Sequence, residues 1–167
     1  MSGVPVRRAR AAELPLLVEV ELASDGPFHD AGIGPLPPPG SVEELAEARC
    51  VLVAGDPPVG FARLGEVDGL AHLEQLSVHP GHSGRGIGTA LLEAACTWAA
   101  DSGYQAMTLT TFADVPWNGP YYARRGFTEL TRLTPGLREI RAHEAELCLD
   151  VLGRRIAMRR ALTRSRS

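Results

Sequence analysis

The spacing of apolar residues changes several times along the chain, and each change marks an element. Val4 to Arg8 alternates like a short strand. From Glu13 to Ala23, Leu14, Leu17, Val18 and Leu22 recur at helical spacing. Asp25 to Gly40 has no period, holds five prolines and four glycines, and reads as a long loop walling a substrate site. Ser41-x-x-Glu44 is a capping box that opens a short helix to about Arg49. Cys50 to Ala54 and Val59 to Glu66 form a hairpin across Gly55-Asp56-Pro57-Pro58, and Asp68-Gly69 turns the chain into a fourth strand, Ala71 to Val78. Ile87 to Ser102 is the main helix, with Ile87, Leu91, Ala94, Ala95 and Trp98 on one face. Ala106 to Phe112 is a fifth strand. A short helix at about Pro120 to Arg124, a strand from Phe127 to about Leu133, a helix from Gly136 to Leu149 and a last strand from Arg155 to Ala161 complete the order. No repeat or linker interrupts it, so residues 1–167 read as one α/β domain.

The fourth strand breaks its own period. Alternation puts Leu73, Gln75 and Ser77 on one face and His72, Glu74, Leu76 and Val78 on the other, yet Leu73 and Leu76 both call for the core. A β-bulge near Glu74-Gln75 reconciles them, and bulges re-aim side chains beside active sites. Just beyond, Gly84, Gly86 and Gly88 alternate where the main helix must begin. Glycine lets a ligand approach the backbone closely, and a helix start offers unpaired N–H groups and a positive dipole end. Together they read as a pyrophosphate cradle, to which Arg85 adds a charge. The spacing G-x-G-x-G is not the G-x-G-x-x-G of a dinucleotide fold, and without any lysine the chain has no P-loop.

Composition narrows the class. A chain of 167 residues, 44% hydrophobic, has enough apolar surface for one substantial core. Net charge −3 argues against a general nucleic-acid binder. Arg154, Arg155, Arg159, Arg160, Arg164 and Arg166 read as a solvated strand and a tail frayed over residues 162–167. No apolar run reaches the ~20 residues of a membrane span, and the first residues lack a signal peptide's apolar stretch. Cys50, Cys96 and Cys148 read as reduced, buried thiols of a cytoplasmic protein. His79 and His82 lie in a turn without further ligands at suitable spacing, so no metal is expected. All 17 basic residues are arginine, a trait of GC-rich bacterial genomes.

Val78-His79-Pro80, Gly84-Arg85-Gly86-Ile87-Gly88 and Ala90-Leu91-Leu92 together resemble the acetyl-CoA-binding motif of the GCN5-related N-acetyltransferases. Downstream, Trp117-Asn118-Gly119-Pro120-Tyr121-Tyr122-Ala123-Arg124-Arg125-Gly126-Phe127 resembles that family's second motif, which usually ends in Tyr-x-x-x-Gly-Phe. The resemblance implies an α+β fold: a mixed, mostly antiparallel sheet of six to seven strands, flanked by about four or five helices, with strands four and five splayed around the pantetheine arm. It implies acetyl-CoA held by Leu76, Ser77, Val78, Ser83, Gly84, Arg85, Gly86, Ile87, Gly88, Thr89 and Asn118. The N–H groups of Leu76 and Ser77 would form an oxyanion hole. Ser83 departs from the pattern, which usually has Gln or Arg there.

Transfer to an amine needs a base for the ammonium and an acid for the departing thiolate. Tyr122, four residues before Gly126, takes the place of the family's acid, and Tyr121 reads as its packing neighbour. Glu74 at the bulge is the candidate base, with His72 second. Asn118 reads equally as a helix N-cap and as a pantetheine contact. The resulting expectation is a cytoplasmic N-acetyltransferase working by direct transfer in a ternary complex. Its acceptor would be a primary amine, and Asp25, Asp30, Glu74 and Asp114 favour a cationic small molecule. A peptide N-terminus or lysine acceptor, and a non-catalytic acyl-CoA sensor, are the other readings; neither membrane nor nucleic acid is an expected partner, and a homodimer is compatible.

Overall fold

A computed structural model describes residues 4–163. Arg164, Arg166 and the rest of the expected tail beyond Thr163 lie outside the described residues. The chain runs β1 (Val6–Arg8), α1 (Leu14–Ser24), α2 (Gly26–Asp30), α3 (Val42–Glu47), β2 (Cys50–Ala54), β3 (Gly60–Val67), β4 (Leu70–Val78), α4 (Ile87–Asp101), β5 (Ala106–Phe112), α5 (Gly119–Ala123), β6 (Thr128–Glu129), α6 (Pro135–Glu146), α7 (Leu149–Leu152) and β7 (Arg155–Ala161). The seven strands form one mixed sheet in the order β1-β2-β3-β4-β5-β7-β6. β1–β2, β2–β3, β5–β7 and β6–β7 pair antiparallel, whereas β4 and β5 pair in parallel. That parallel ladder holds only Ala71–Met107 and His72–Thr108 and stops there, as expected of strands that part.

Asp68 and Gly69 both take positive φ (52° and 80°), the two-residue turn whose twist matches a hairpin. From Val67 and Leu70 at this turn to Val59 and His79 at the far end, where His79 N–H reaches Val59 O at 2.8 Å, β3 advances eight residues and β4 nine. The extra residue on β4 is what a bulge supplies. Leu76, expected in the core beside Leu73, is only half-buried.

The chain divides into two compact units. The first holds residues 4–65 and 73–98. Its core joins Leu14, Leu17 and Val20 of α1 to Leu45 of α3, Val53 of β2 and Phe61 of β3. The helical face thus differs from expectation: Val20 is 6% exposed while Leu22 stands 53% exposed. Ser41 caps α3 as its spacing predicts, accepting from Glu44 N–H at 3.1 Å while Glu44 accepts from Ser41 N–H at 3.2 Å. Arg7 grips Glu13 through two bonds of 2.8 and 2.7 Å, which with Arg10 N–H pulls the Glu13 carboxyl down to about 2.

The second unit holds residues 66–72 and 99–163. β5 and β7 pair over seven residues, with Met107, Leu109, Phe112, Ile156 and Met158 buried. The strand expected from Phe127 to Leu133 shrinks to Thr128–Glu129, which pair with Arg159 and Met158 of β7, and Leu130 N–H adds one last bond to Ala157 O at 2.9 Å. The helix expected over Gly136 to Leu149 breaks at Cys148, whose φ of 63° starts α7 afresh and leaves its thiol exposed, whereas Cys50 and Cys96 are buried as expected. With that break and with α2 formed inside the expected loop, the described residues contain seven α-helices, where four or five helices were expected. None is long and apolar enough to cross a membrane.

Candidate active site

In the first unit, β4 leads into the glycine loop. Leu76 and Val78 are half-buried and Ser77 is buried at its end. His79 Nδ1 accepts from Gly81 N–H at 3.0 Å, and the Ser83 hydroxyl donates to Pro80 O at 2.9 Å. Both side chains therefore build the turn, as the loop reading of His79 expected; Ser83 is occupied with its own backbone. Gly84 and Gly86 follow at φ 77° and 76°, where L side chains are strained, and an added Cβ on either would meet nothing within 4 Å. Gly32, Gly69 and Gly103 are as open as these two; what sets Gly84 and Gly86 apart is their place at the start of α4.

The helical ladder of α4 opens with Ala90 N–H on Gly86 O at 3.0 Å. The N–H groups of Ile87 and Gly88 precede it and have no intrahelical partner. Ile87 is buried and anchors the first turn, Arg85 is exposed beside it, and Gly88 and Thr89 continue the helix. The α4 face turned to the core is wider than predicted: Leu92, Cys96, Ala99 and Ala100 are buried, while Ala94 and Trp98 are half-buried.

Glu74 lies exposed on β4, with Oε1 3.2 Å from Arg63 Nε. The pair is close enough for charge attraction but not aligned as a hydrogen bond, and Arg63 Nε and Nη1 are both buried without a hydrogen-bond partner among the described residues. Sequence reasoning missed Arg63. Its signal was a lone charge inside Phe61-Ala62-Arg63-Leu64-Gly65, where every neighbour is buried. Glu21 was also missed; burial raises its carboxyl although Gly40 N–H, at 3.3 Å, and Arg63 oppose the shift.

In the second unit, Gly119 starts α5 where any Cβ would overlap the carbonyl oxygen of Ala113. Asn118 precedes it without capping it: its Nδ2 donates to Trp117 O at 2.9 Å, and only its carbonyl serves the helix, accepting from Tyr122 N–H at 2.9 Å. Gly126 (φ 91°) ends the motif, and Phe127 N–H returns to Tyr122 O at 3.1 Å, closing the helix as left-handed caps do. Tyr122 is buried, edge-on to Tyr121 at 5.3 Å and to Phe127 at 5.7 Å. Tyr121, read as the packing neighbour, is only half-buried and carries the Arg125 guanidinium 3.8 Å above its ring. Burial raises the Tyr122 phenol above its ordinary range, so it keeps its proton at neutral pH.

His72 is buried in the same unit, with Nδ1 2.7 Å from Thr108 Oγ1. The Thr108 hydroxyl also lies 3.5 Å from Ala71 O. Burial drives the imidazole down to about 4, well below the value near 7 that suits a base at neutral pH.

Residues 21–127 match the profile of the Acetyltransferase (GNAT) family. The chain belongs to that family. The match spans both the glycine cradle and Tyr122. Among solved structures, this GNAT chain is similar to Rv2747 from Mycobacterium tuberculosis in complex with CoA, at 24% identity and TM-score 0.66 over 95% of this chain and 99% of that one. It is also similar to the PaiA N-acetyltransferase from Thermoplasma acidophilum in complex with coenzyme A (19%, TM-score 0.70, 96% and 99% covered). A third likeness is the ribosomal-protein-S18-alanine N-acetyltransferase from Escherichia coli (19%, TM-score 0.67, 98% and 96% covered). At these identities the likeness is one of fold, and this GNAT sheet is the fold they share.

Proposed function

We propose that this GNAT protein is an acetyl-CoA-dependent N-acetyltransferase that acts on the primary amine of a cationic small molecule by direct transfer. The observation that carries the reading is the cradle. Two left-handed glycines with open space above them stand at the start of a 15-residue helix, beside an exposed arginine. Gly84, Arg85 and Gly86, with the first N–H groups of α4 contributed by Ile87, Gly88 and Thr89, would hold the pyrophosphate. The coenzyme bound in the Rv2747 and PaiA structures supports this choice of ligand. Bound acetyl-CoA supplies one thing to the chemistry, an electrophilic thioester carbonyl.

The chain's own groups do the rest. The carboxylate of Glu74 takes one ammonium proton, directly or through a water; the freed amine bonds to the thioester carbon as the C–S bond breaks, and the second nitrogen proton passes to solvent. The N–H groups of Leu76 and Ser77 receive the charge that gathers on the carbonyl oxygen. Tyr122, the residue to which the family motif points, would offer its hydroxyl hydrogen to the departing sulfur, whose proton comes in the end from solvent. A free thiol has a pKa of about 8.5, so giving a proton from a phenol raised above 10 is uphill. Tyr122 then acts chiefly through the hydrogen bond it offers as charge develops, which sets its contribution near the lower end of acid–base catalysis. The carboxylates of Glu74 and of Glu21 and Asp25 in the same unit support a cationic acceptor.

Release of free thiol from acetyl-CoA across a panel of amines and peptides tests the activity and its acceptor together. Thiol release with none of them would overturn the enzyme reading, and release with peptides alone would move the acceptor to a chain terminus or lysine. Tyr122→Phe removes only a hydroxyl, and kcat is expected to fall about tenfold with acetyl-CoA binding retained. A kcat within twofold of the parent would leave water as the proton source.

A further inference from the structure

Resting on the reading of Glu74 as base, we infer that Arg63 and Gly65 form a seat whose role is to fix the Glu74 carboxylate for proton transfer. Three contacts within the first unit define it. Arg63 Nε stands 3.2 Å from Glu74 Oε1. A Cβ on Gly65 would overlap Glu74 Oε2 and lie 2.9 Å from its Cδ, so the side chain lies folded over bare backbone. A Cβ on Gly40 would overlap Arg63 Nη1 and lie 3.3 Å from its Cζ, so the guanidinium is closed in from that side. The Glu21 carboxylate, bound to Gly40 N–H, also faces the Arg63 charge.

Stability does not account for this arrangement. An ion pair with an exposed partner adds little to a fold. Arg63 Nε and Nη1, buried without hydrogen-bond partners among the described residues, work against it. A strand that keeps a costly arginine beside an exposed glutamate gains an oriented carboxylate. Sites held by a charge and a close backbone surface lose fewer orientations on binding and react faster for it. Arg63 is accordingly a positioning residue: it acts through Glu74, not on the substrate.

The test is a double-mutant cycle read by thiol release at saturating acetyl-CoA, using the best amine for the parent. Arg63→Gln is expected to lower kcat about tenfold with the amine KM within twofold. In the Glu74→Gln background the same change should cost less than twofold, because there is no base left to orient. Arg63→Lys should recover part of the loss, keeping the charge without the planar fork. Gly65→Ala displaces the same carboxylate from its other side and runs through the same cycle should Arg63→Gln fail to fold, as judged by a lost acetyl-CoA thermal shift. Equal losses in both backgrounds would overturn the seat while leaving Glu74 as the base. A Glu74→Gln enzyme as fast as the parent would overturn the base reading, and the seat with it.

Discussion

Two glutamates, each beside an arginine, behave in opposite ways in this molecule. Glu144 on α6 is buried and saturated. It accepts from Arg155 Nη2 and Nε at 2.9 and 3.3 Å, from the Thr110 hydroxyl at 2.5 Å and from Arg141 Nη1 at 2.8 Å. Arg141 in turn holds Asp150 at 2.9 Å, and Arg155 lies 4.6 Å above the Phe112 ring. Burial pushes the Glu144 carboxyl up, but the Arg155 bonds and charge outweigh it and the net shift is downward. Glu74 is exposed, has one arginine, and does not align with it. The lesson is that the presence of an ion pair says little. A pair whose every donor and acceptor is met belongs to the scaffold; one left incomplete is where a role beyond the scaffold is to be sought, and the proposed role of Glu74 is of that kind.

The sharpest way to break this contrast is to cut the saturated network. Glu144→Ala strands Arg155 inside the second unit and is expected to cost about 3–5 kcal/mol in denaturant unfolding. A loss below about 1 kcal/mol would mean that Glu144 is no more structural than Glu74. Next in size is acid. His72 sits at about 4 when folded against an ordinary 6.5, so its neutral form is what the fold tolerates. Its stabilising contribution is complete above 6.5; as pH falls from 6.5 to 4 the unfolded chain binds a proton that the folded one refuses, and roughly 3 kcal/mol is lost. Glu13 contributes to acid sensitivity only lower, between 4.5 and about 2. His72→Gln should flatten the upper part of a stability–pH curve, and an unchanged slope would contradict the buried neutral imidazole. The smallest expected change is the most telling: Glu74→Gln should leave unfolding within about 0.5 kcal/mol of the parent. Its turnover should fall at neutral pH and partly recover at high pH, where free amine is abundant.

What was legible in the sequence was whatever local pattern decides. β5 and β7 lie where their apolar runs end, and the Ser41 box and the Asp68-Gly69 turn formed because each is complete within four residues. Features that depend on distant partners were not legible. Thr128–Glu129 is a strand only as far as β7 reaches it. Val20 displaced Leu22 from the core because the α1 face is chosen by Leu45, Val53 and Phe61. The family was readable because its two motifs are local, and the match over residues 21–127 spans both. Arg63 was not, because its meaning lies on the neighbouring strand, eleven residues later in the chain.

The position of β7 has a consequence for how the protein is made. It lies between β5 and β6, so the last described strand to be synthesised is an interior strand of the sheet. At ribosomal speeds of about 5–20 residues per second, β5 emerges roughly 2–10 s before the strand that covers its edge. For that interval the apolar stretch from Ala106 to Phe112 offers an unpaired edge to any passing chain. The nascent sheet is therefore most exposed to aggregation in the interval after β5 has emerged and before β7 has reached its place between β5 and β6.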